Sequence, residues 1–181
     1  IALLGIAPQI SQSPWDGGAT PEVVAASAEW GVLGSTAAGH LYANETQDFI
    51  RAVKKLTAKS CAGNLCGPEH NEWDQETMRK AYEALQPIAE KVGRPFWKAA
   101  LSESESEFDG QVQVVIDEGV KVCSFTFGLP DEKTIRLLKE NHVFLIGTAT
   151  TVEEAVLAQS AGMNAVVVQG SEAGGHRGSF F

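Results

Sequence analysis

Short apolar segments alternate along this chain with amphipathic ones. The apolar segments are rich in β-branched residues, which is typical of strands buried between two layers. In the intervening stretches apolar residues recur every three or four positions, as on one face of a helix. The stretch Thr46–Thr57, for example, places Ile50, Val53 and Leu56 on one face. The alternation predicts a parallel sheet with helices packed outside it.

Six strands and six helices are predicted from this pattern. The predicted strands are Ala2–Ile6 or Gln9–Gln12, Gly31–Ser35, Ser60–Leu65, Val120–Phe127, His142–Thr148 and Ala165–Gln169. The predicted helices are Pro21–Trp30, Thr46–Thr57, Gln75–Val92, Phe108–Glu118, Asp131–Asn141 and Thr151–Ala161. The last is capped by Thr150 or Thr151, with Glu153 or Glu154 able to close a capping box. Phe96–Leu101 fits either a small strand or a link, and the acidic Ser102–Asp109 predicts a solvated linker. The pattern fits a (β/α)8 barrel and a doubly wound open sheet equally.

The most informative chemistry lies in a glycine-rich loop after the last predicted strand. The run Ala165–Val168 has the composition of a strand buried on both faces. The following Gln169–Gly178, QGSEAGGHRG, sets His176 among four glycines. Glycines let a backbone approach a ligand closely and present N–H groups to it, and a histidine moves protons near neutral pH. The alternative is a tight turn that carries a solvent-exposed histidine.

Four segments resemble the nitronate monooxygenases, FMN enzymes once called 2-nitropropane dioxygenases. QGSEAGGHRG is the most specific, and the others are SFTFGLP (Ser124–Pro130), IGTATTVEEA (Ile146–Ala155) and GGATPEVVAASAEWGVLGSTAAGHL (Gly17–Leu41). The resemblance implies an α/β fold of the (β/α)8, TIM-barrel type, with residues 1–181 forming a single FMN-binding domain. Because such a barrel needs about 250 residues, six of its eight βα units are expected here, without the last two strands.

The resemblance also implies an activity and a set of site residues. It implies an FMN-dependent oxidoreductase that oxidises alkyl nitronates, or nitroalkanes, with molecular oxygen. His176 would be the base that takes the α-proton, and the flavin would carry the redox chemistry. The expected cofactor-binding residues lie at the carboxyl ends of strands, where barrels bind ligands: Gln12, Ser13, Asn64, Ser124, Thr148, Gln169, Gly170, Gly174 and Gly175.

Two other functions stay open. A flavin-dependent enoyl reductase shares the EAGGH loop, although Gln169 and Arg177 favour the monooxygenase. A non-catalytic fragment or subunit is the other, because a barrel without its last strands exposes sheet edges, which a homo-oligomer or a second chain would cover.

Two single residues also leave alternatives open. Trp15 stands where the family has methionine, so it can stack on the flavin or crowd it. Asn64 can alternatively form an Asx turn.

Composition narrows the partners. The 181-residue chain carries a net charge of −9, which argues against binding to nucleic acid or to an anionic membrane surface. No apolar run approaches the roughly 20 residues of a membrane span, and no signal peptide is evident. The three cysteines lack the spacing of a disulfide framework or a zinc site. Reduced thiols, no bound metal and a cytoplasmic location are therefore expected.

Overall fold

The computed structural model describes residue 6 and residues 10–68, 74–93 and 104–180. Within them, five parallel strands form one sheet: β1 (Ser35–Ala37), β2 (Ala62–Cys66), β3 (Val122–Thr126), β4 (Phe144–Ala149) and β5 (Ala165–Val168). Six helices accompany them: α1 (Pro21–Glu29), α2 (Ala43–Leu56), α3 (Gln75–Lys91), α4 (Ser104–Asp117), α5 (Glu132–Glu140) and α6 (Val152–Ala161). Within these residues, no helix is both long and apolar enough to cross a membrane.

The order of the strands distinguishes a barrel from an open sheet. Each strand pairs with the next one along the chain, in the order β1-β2-β3-β4-β5. Because parallel crossovers are almost always right-handed, this order places the connecting helices on one face of the sheet. In agreement, α1 contacts α2, α2 contacts α4, and α4 contacts α5. A doubly wound sheet instead reverses its strand order and carries helices on both faces.

The helix-facing side of the sheet holds the main core. Leu65, Phe125 and Leu145 project from β2, β3 and β4 and have no exposed surface. They pack with Val115 of α4 and Leu138 of α5. Burying such a side chain contributes about 1.5–3 kcal/mol relative to leaving it in water, so this layer is a principal source of stability.

The opposite side of the sheet, which faces inward in a barrel, changes character along the strands. Near their amino ends it is apolar, with a cluster formed by Leu33, Ala62, Val122 and Ile146. Towards the carboxyl ends it becomes polar, where Asn64 of β2 pairs in register with Ser124 of β3. The inner face is therefore filled by apolar side chains at the amino ends of the strands. At the carboxyl ends it carries the partly exposed polar side chains of Ser124, Thr126 and Thr148.

The first predicted strand contributes one bridge to the described structure. Ser11 pairs in parallel with Leu33, and the Gln12 N–H donates to the Leu33 carbonyl at 2.9 Å. Of the prediction Gln9–Gln12, the described residues 10–12 form a single bridge rather than a strand, and Gln9 lies outside the described residues. Of the alternative Ala2–Ile6, only the last residue is described.

The second predicted strand, Gly31–Ser35, is placed wrongly. Gly31 has a φ of +79° and lies in the turn that follows α1. Because the chain is still turning there, ladder pairing with β2 begins only at Ser35, opposite Ala62. The strand therefore occupies Ser35–Ala37.

Two helices begin earlier than predicted. Helix α2 starts at Ala43 because two carboxylates satisfy its first backbone donors. Glu45 accepts from the Tyr42 N–H at 2.9 Å, and Glu107 accepts from the Ala43 N–H at 3.0 Å. Helix α4 starts at Ser104, so the prediction of a solvated linker is wrong from that residue onward. The contact between Glu107 and α2 is tertiary and is not visible in a local pattern.

The last predicted strand is not buried on both faces. Val167 is 50% exposed and Val168 is 76% exposed. Within the described residues β5 pairs only with β4, so it is an edge strand. The other predicted elements agree with the structure to within two residues at each end, except for Phe96–Leu101, which lies outside the described residues.

Candidate active site

Polar side chains from β2 and β3 form one connected group on the inner face. The Asn64 Nδ2 atom donates to Ser124 Oγ at 2.9 Å and to Thr126 Oγ1 at 3.3 Å. Asn64 is only 8% exposed and lies in the middle of β2, so the Asx-turn alternative and the placement at a strand end are both wrong. Its carboxamide oxygen accepts no hydrogen bond from a described side chain, which leaves an acceptor beside two hydroxyl groups.

The glycine-rich loop folds back over the ends of β3 and β4. A Cβ atom at Gly178 would lie 3.0 Å from the Thr126 methyl carbon and 3.1 Å from that of Thr148. A larger residue here would have to push both threonine methyl groups back by a few tenths of an ångström, so glycine fits this close contact best. Thr148 lies inside β4, and its side chain supports the loop at the carboxyl end of that strand.

Gln169 holds the loop through both ends of its carboxamide. Its Nε2 atom donates to the His176 carbonyl at 2.8 Å, and its Oε1 atom accepts from the Gly178 N–H at 2.8 Å. Each such bond contributes about 1 kcal/mol net. One N–H and one lone pair of the carboxamide stay available to a ligand. The structure therefore gives Gln169 a loop-holding role that the sequence does not reveal.

His176 is exposed and its ring faces an aromatic residue at the end of β3. The His176 and Phe127 ring centroids are 6.1 Å apart, with an interplanar angle of 71°. Phe127 has a φ of +64°, a left-handed conformation that costs a residue with a side chain about 1–2 kcal/mol. Such strain is typical of functional sites, and here it accompanies an edge-on contact with the candidate base.

The remaining loop glycines present an open backbone. A Cβ atom at Gly174 would have no other atom within 4 Å, and Gly175 has a φ of +79° that favours glycine. At Gly170 a Cβ atom would collide with the Glu172 carboxylate at 2.4 Å. The surface of the loop at Gly174 and Gly175 is therefore free to lie against a flat ligand.

The segment before β1 contacts the amino end of that strand through Gln12, level with Ala62 of the apolar layer. Gln12 Oε1 accepts from the Ser35 N–H at 3.0 Å, and its Nε2 atom donates to the Ser13 carbonyl. Ser13 is exposed. Trp15 is 73% exposed and its ring covers Gly18, where a Cβ atom would lie 2.5 Å from a ring carbon. Trp15 therefore packs within its own loop.

Sequence reasoning missed the full role of Glu154, a buried carboxylate next to the loop. Its side chain accepts from the Thr150 N–H at 2.5 Å, from Thr150 Oγ1 at 2.8 Å and from the Phe180 N–H at 2.8 Å. Burial alone raises the pKa of this carboxyl. Hydrogen bonds from Phe180, Thr150 and Thr151 outweigh burial and hold the pKa below its usual 4.5. The capping-box spacing signals the helix start, but not the bond to Phe180.

Comparison with known proteins identifies the family. The family model described as nitronate monooxygenase matches residues 1–181. The chain belongs to the nitronate monooxygenase family. It is 38% identical over 178 residues to proteins named probable nitronate monooxygenase from Staphylococcus aureus strains MRSA252 and MSSA476, and the match covers 98% of this chain and 50% of theirs. The chain thus spans about half the length of the curated relatives it matches.

Solved structures of similar fold agree with this assignment. A nitroalkane oxidase from Streptomyces ansochromogenes superposes with a TM-score of 0.84 at 31% identity, covering 98% of this chain and 50% of that one. FabK from Thermotoga maritima superposes with a TM-score of 0.71 at 25% identity, covering 98% and 45%. The prediction of an α/β fold of the TIM-barrel type is confirmed. The five strands of the described residues form part of such a barrel.

The site suits a flavin, on which the nitronate monooxygenase family generally depends. Asn64 offers an acceptor, Ser124 and Thr148 supply hydroxyl groups, and the loop backbone around Gly174 is open. Such a set matches the alternating donors and acceptors of a flavin ring edge. Barrels commonly bind phosphate after the seventh and eighth strands, which are not among the five strands of the described residues. The described residues therefore suit the ring of the flavin.

Proposed function

We propose that this chain binds FMN and contributes His176 as the base in the oxidation of alkyl nitronates or nitroalkanes by molecular oxygen. One observation carries the proposal: the loop that bears His176 is tied across the ends of β3 and β4, above the polar inner face. Gly178 packs on both strands, and Gln169 bonds the backbone on either side of Arg177. These contacts support the proposal because they hold the backbone of His176 at the strand ends, where barrels bind ligands.

His176 handles the proton in this proposal. With a nitroalkane, the neutral imidazole takes the α-proton on a ring nitrogen. The C–H bond breaks and its electron pair passes onto the nitro group, which gives the nitronate. The imidazolium then faces the nitronate oxygens and stabilises their charge. Phe127 packs edge-on against the ring and limits its orientations.

Other residues of the chain bind the cofactor. Asn64, Ser124 and Thr148 contact the polar edge of the flavin ring, and Gln12 and Ser13 approach from the segment before β1. The backbones of Gly170, Gly174 and Gly175 lie against the ring, with the free N–H of Gln169 beside them. When bound, FMN supplies the electron transfer between the nitronate and oxygen. The net charge of −9 supports a protein without nucleic-acid or membrane partners, and three cysteines without a disulfide framework support a cytoplasmic location.

A visible absorption spectrum tests the cofactor first. We expect the purified chain to retain a protein-perturbed FMN spectrum after incubation with excess FMN and removal of the unbound flavin. Turnover is then compared between a nitronate and an enoyl thioester supplied with reduced nicotinamide. Turnover of the enoyl thioester alone would favour the reductase. A colourless chain that cannot be reconstituted, alone or as an oligomer, would instead favour the non-catalytic subunit.

Gly174→Ala is expected to weaken FMN binding about tenfold, or 1.4 kcal/mol, without changing the free energy of unfolding. The added methyl group meets no atom of the chain within 4 Å, so it projects into the space assigned to the flavin. Fluorescence titration with FMN and urea unfolding measure the two effects. Gly63→Ala is the matched control, because its methyl group lies on the helix-facing side, 3.6 Å from Val115. Equal FMN affinity in Gly174→Ala and wild type would contradict this placement.

A further inference from the structure

Glu154 is a buried charge that the proposed flavin site does not use. Its side chain has no exposed surface. Among the described residues, no lysine, arginine or histidine forms an ion pair with it. A buried carboxylate is costly unless donors surround it. Here Thr150 supplies two donors to Oε2 and Phe180 supplies one to Oε1.

The start of the helix does not by itself account for this burial. The cap of α6 is made by Thr151, whose Oγ1 atom accepts from the Glu154 N–H at 3.1 Å. The neighbouring Glu153 also lies in the first turn and is exposed, so it favours the helix dipole without burial. The bonds from Thr150 and Phe180 distinguish Glu154 from Glu153, and of these two partners Phe180 is the one beyond the glycine-rich loop.

Phe180 lies at the far end of the loop that carries His176. Among the described residues, hydrogen bonds attach the loop at two places, at His176 and Gly178 through Gln169, and at Phe180 through Glu154. Gly178 belongs to the first attachment and also rests on the threonines of β3 and β4. Without the second attachment Phe180 loses the hydrogen bond that joins its backbone N–H to α6.

We propose that Glu154 is a positioning residue: by holding the Phe180 N–H it fixes the far end of the glycine-rich loop, and so keeps His176 over the strand ends. The consequence for turnover rests on the proposed function. The anchoring of the loop does not, and it is measured separately.

Glu154→Gln tests the anchor because it replaces one acceptor oxygen by an NH2 group. The remaining oxygen can serve either the two Thr150 donors or Phe180, and two donors favour Thr150. The bond to Phe180 is then lost while the start of α6 stays bonded. Arg177, exposed within the loop, reports on the change. We expect cleavage by trypsin after Arg177 to become about tenfold faster. Mass spectrometry of the shortened chain measures the rate.

Glu153→Gln is the matched control, since it removes the same charge from the same helix turn without touching Phe180, and it should cleave like wild type. Phe180→Pro is the second variant. It deletes the donor and leaves the carboxylate, so it should reproduce the fast cleavage even if Glu154→Gln fails to fold. Glu154→Gln and Phe180→Pro should both retain bound FMN. In both, kcat for the nitronate should fall by a larger factor than KM rises.

Cleavage after Arg177 at the wild-type rate in Glu154→Gln and Phe180→Pro would overturn the proposal. So would fast cleavage with normal nitronate turnover, because the anchor would then not position His176. If wild type neither binds FMN nor oxidises nitronates, the proposed function fails, while the cleavage rates still decide whether Glu154 anchors the loop.

Discussion

His176→Ala is expected to lower nitroalkane oxidation by about 10²–10⁴-fold, the usual contribution of a general base, while FMN stays bound. The imidazole is exposed, and its recorded ring contact is with Phe127. The loop is held at this residue through the backbone carbonyl, which bonds Gln169. Truncating the side chain therefore removes the base without releasing the loop.

The choice of substrate separates proton abstraction from the other roles of His176. A preformed nitronate has already lost its α-proton, so its turnover should fall much less than that of the parent nitroalkane. Steady-state oxygen consumption with each substrate measures the two losses. His142→Asn is a suitable control, because His142 precedes β4 at the opposite end of the sheet and its φ of +60° is tolerated by asparagine. Nitroalkane turnover that survives in His176→Ala with flavin bound would show that His176 is not the base.

The glycine-rich loop can be predicted from sequence because its signal is local. Four glycines around His176 follow an apolar strand within a dozen residues, and the resemblance to the family rests on the same residues. The strand order, in contrast, depends on which segments pair at a distance, and the local pattern is the same for a barrel and an open sheet. The resemblance to the family favours the barrel, and the observed pairing of each strand with its successor agrees with it.

Individual contacts of the candidate site could not be predicted, for a similar reason. Gln169 looks like a free ligand-binding carboxamide in the sequence, yet the loop returns to occupy both of its ends. Glu154 looks like a helix cap, yet it also binds Phe180, which lies 26 residues away in sequence. Both contacts arise because the loop folds back over the sheet. A local sequence motif carries no information on such a long-range contact.

The edges of the sheet show where local composition misleads. Val167 and Val168 have the β-branched character of a buried strand, but they are exposed because the described part of the chain pairs β5 on one side only. The composition of a segment indicates whether its side chains suit a buried position. It does not report which segment provides that burial, and the chain spans about half the length of its curated relatives.

Gly67→Ala is expected to destabilise the fold by about 1–3 kcal/mol, the usual cost of overpacking, and to weaken FMN binding. A Cβ atom at Gly67 would lie 2.6 Å from the carbonyl carbon of Gly128 and 2.7 Å from its Cα atom. Backbone atoms cannot rotate away as a side chain can. The loops that follow β2 and β3 would therefore have to separate.

This separation would act directly on the polar inner face. The Gly67 N–H donates to the Thr126 carbonyl at 2.8 Å and so extends the pairing of β2 with β3. Widening that junction stretches the hydrogen bonds from Asn64 to Ser124 and Thr126. Urea unfolding and FMN titration should consequently change together in Gly67→Ala. In Gly63→Ala, on the helix-facing side of the same strand, neither should change appreciably. A Gly67→Ala variant as stable as wild type would show that the two loops can part without cost, and that their close contact does not set the geometry of the site.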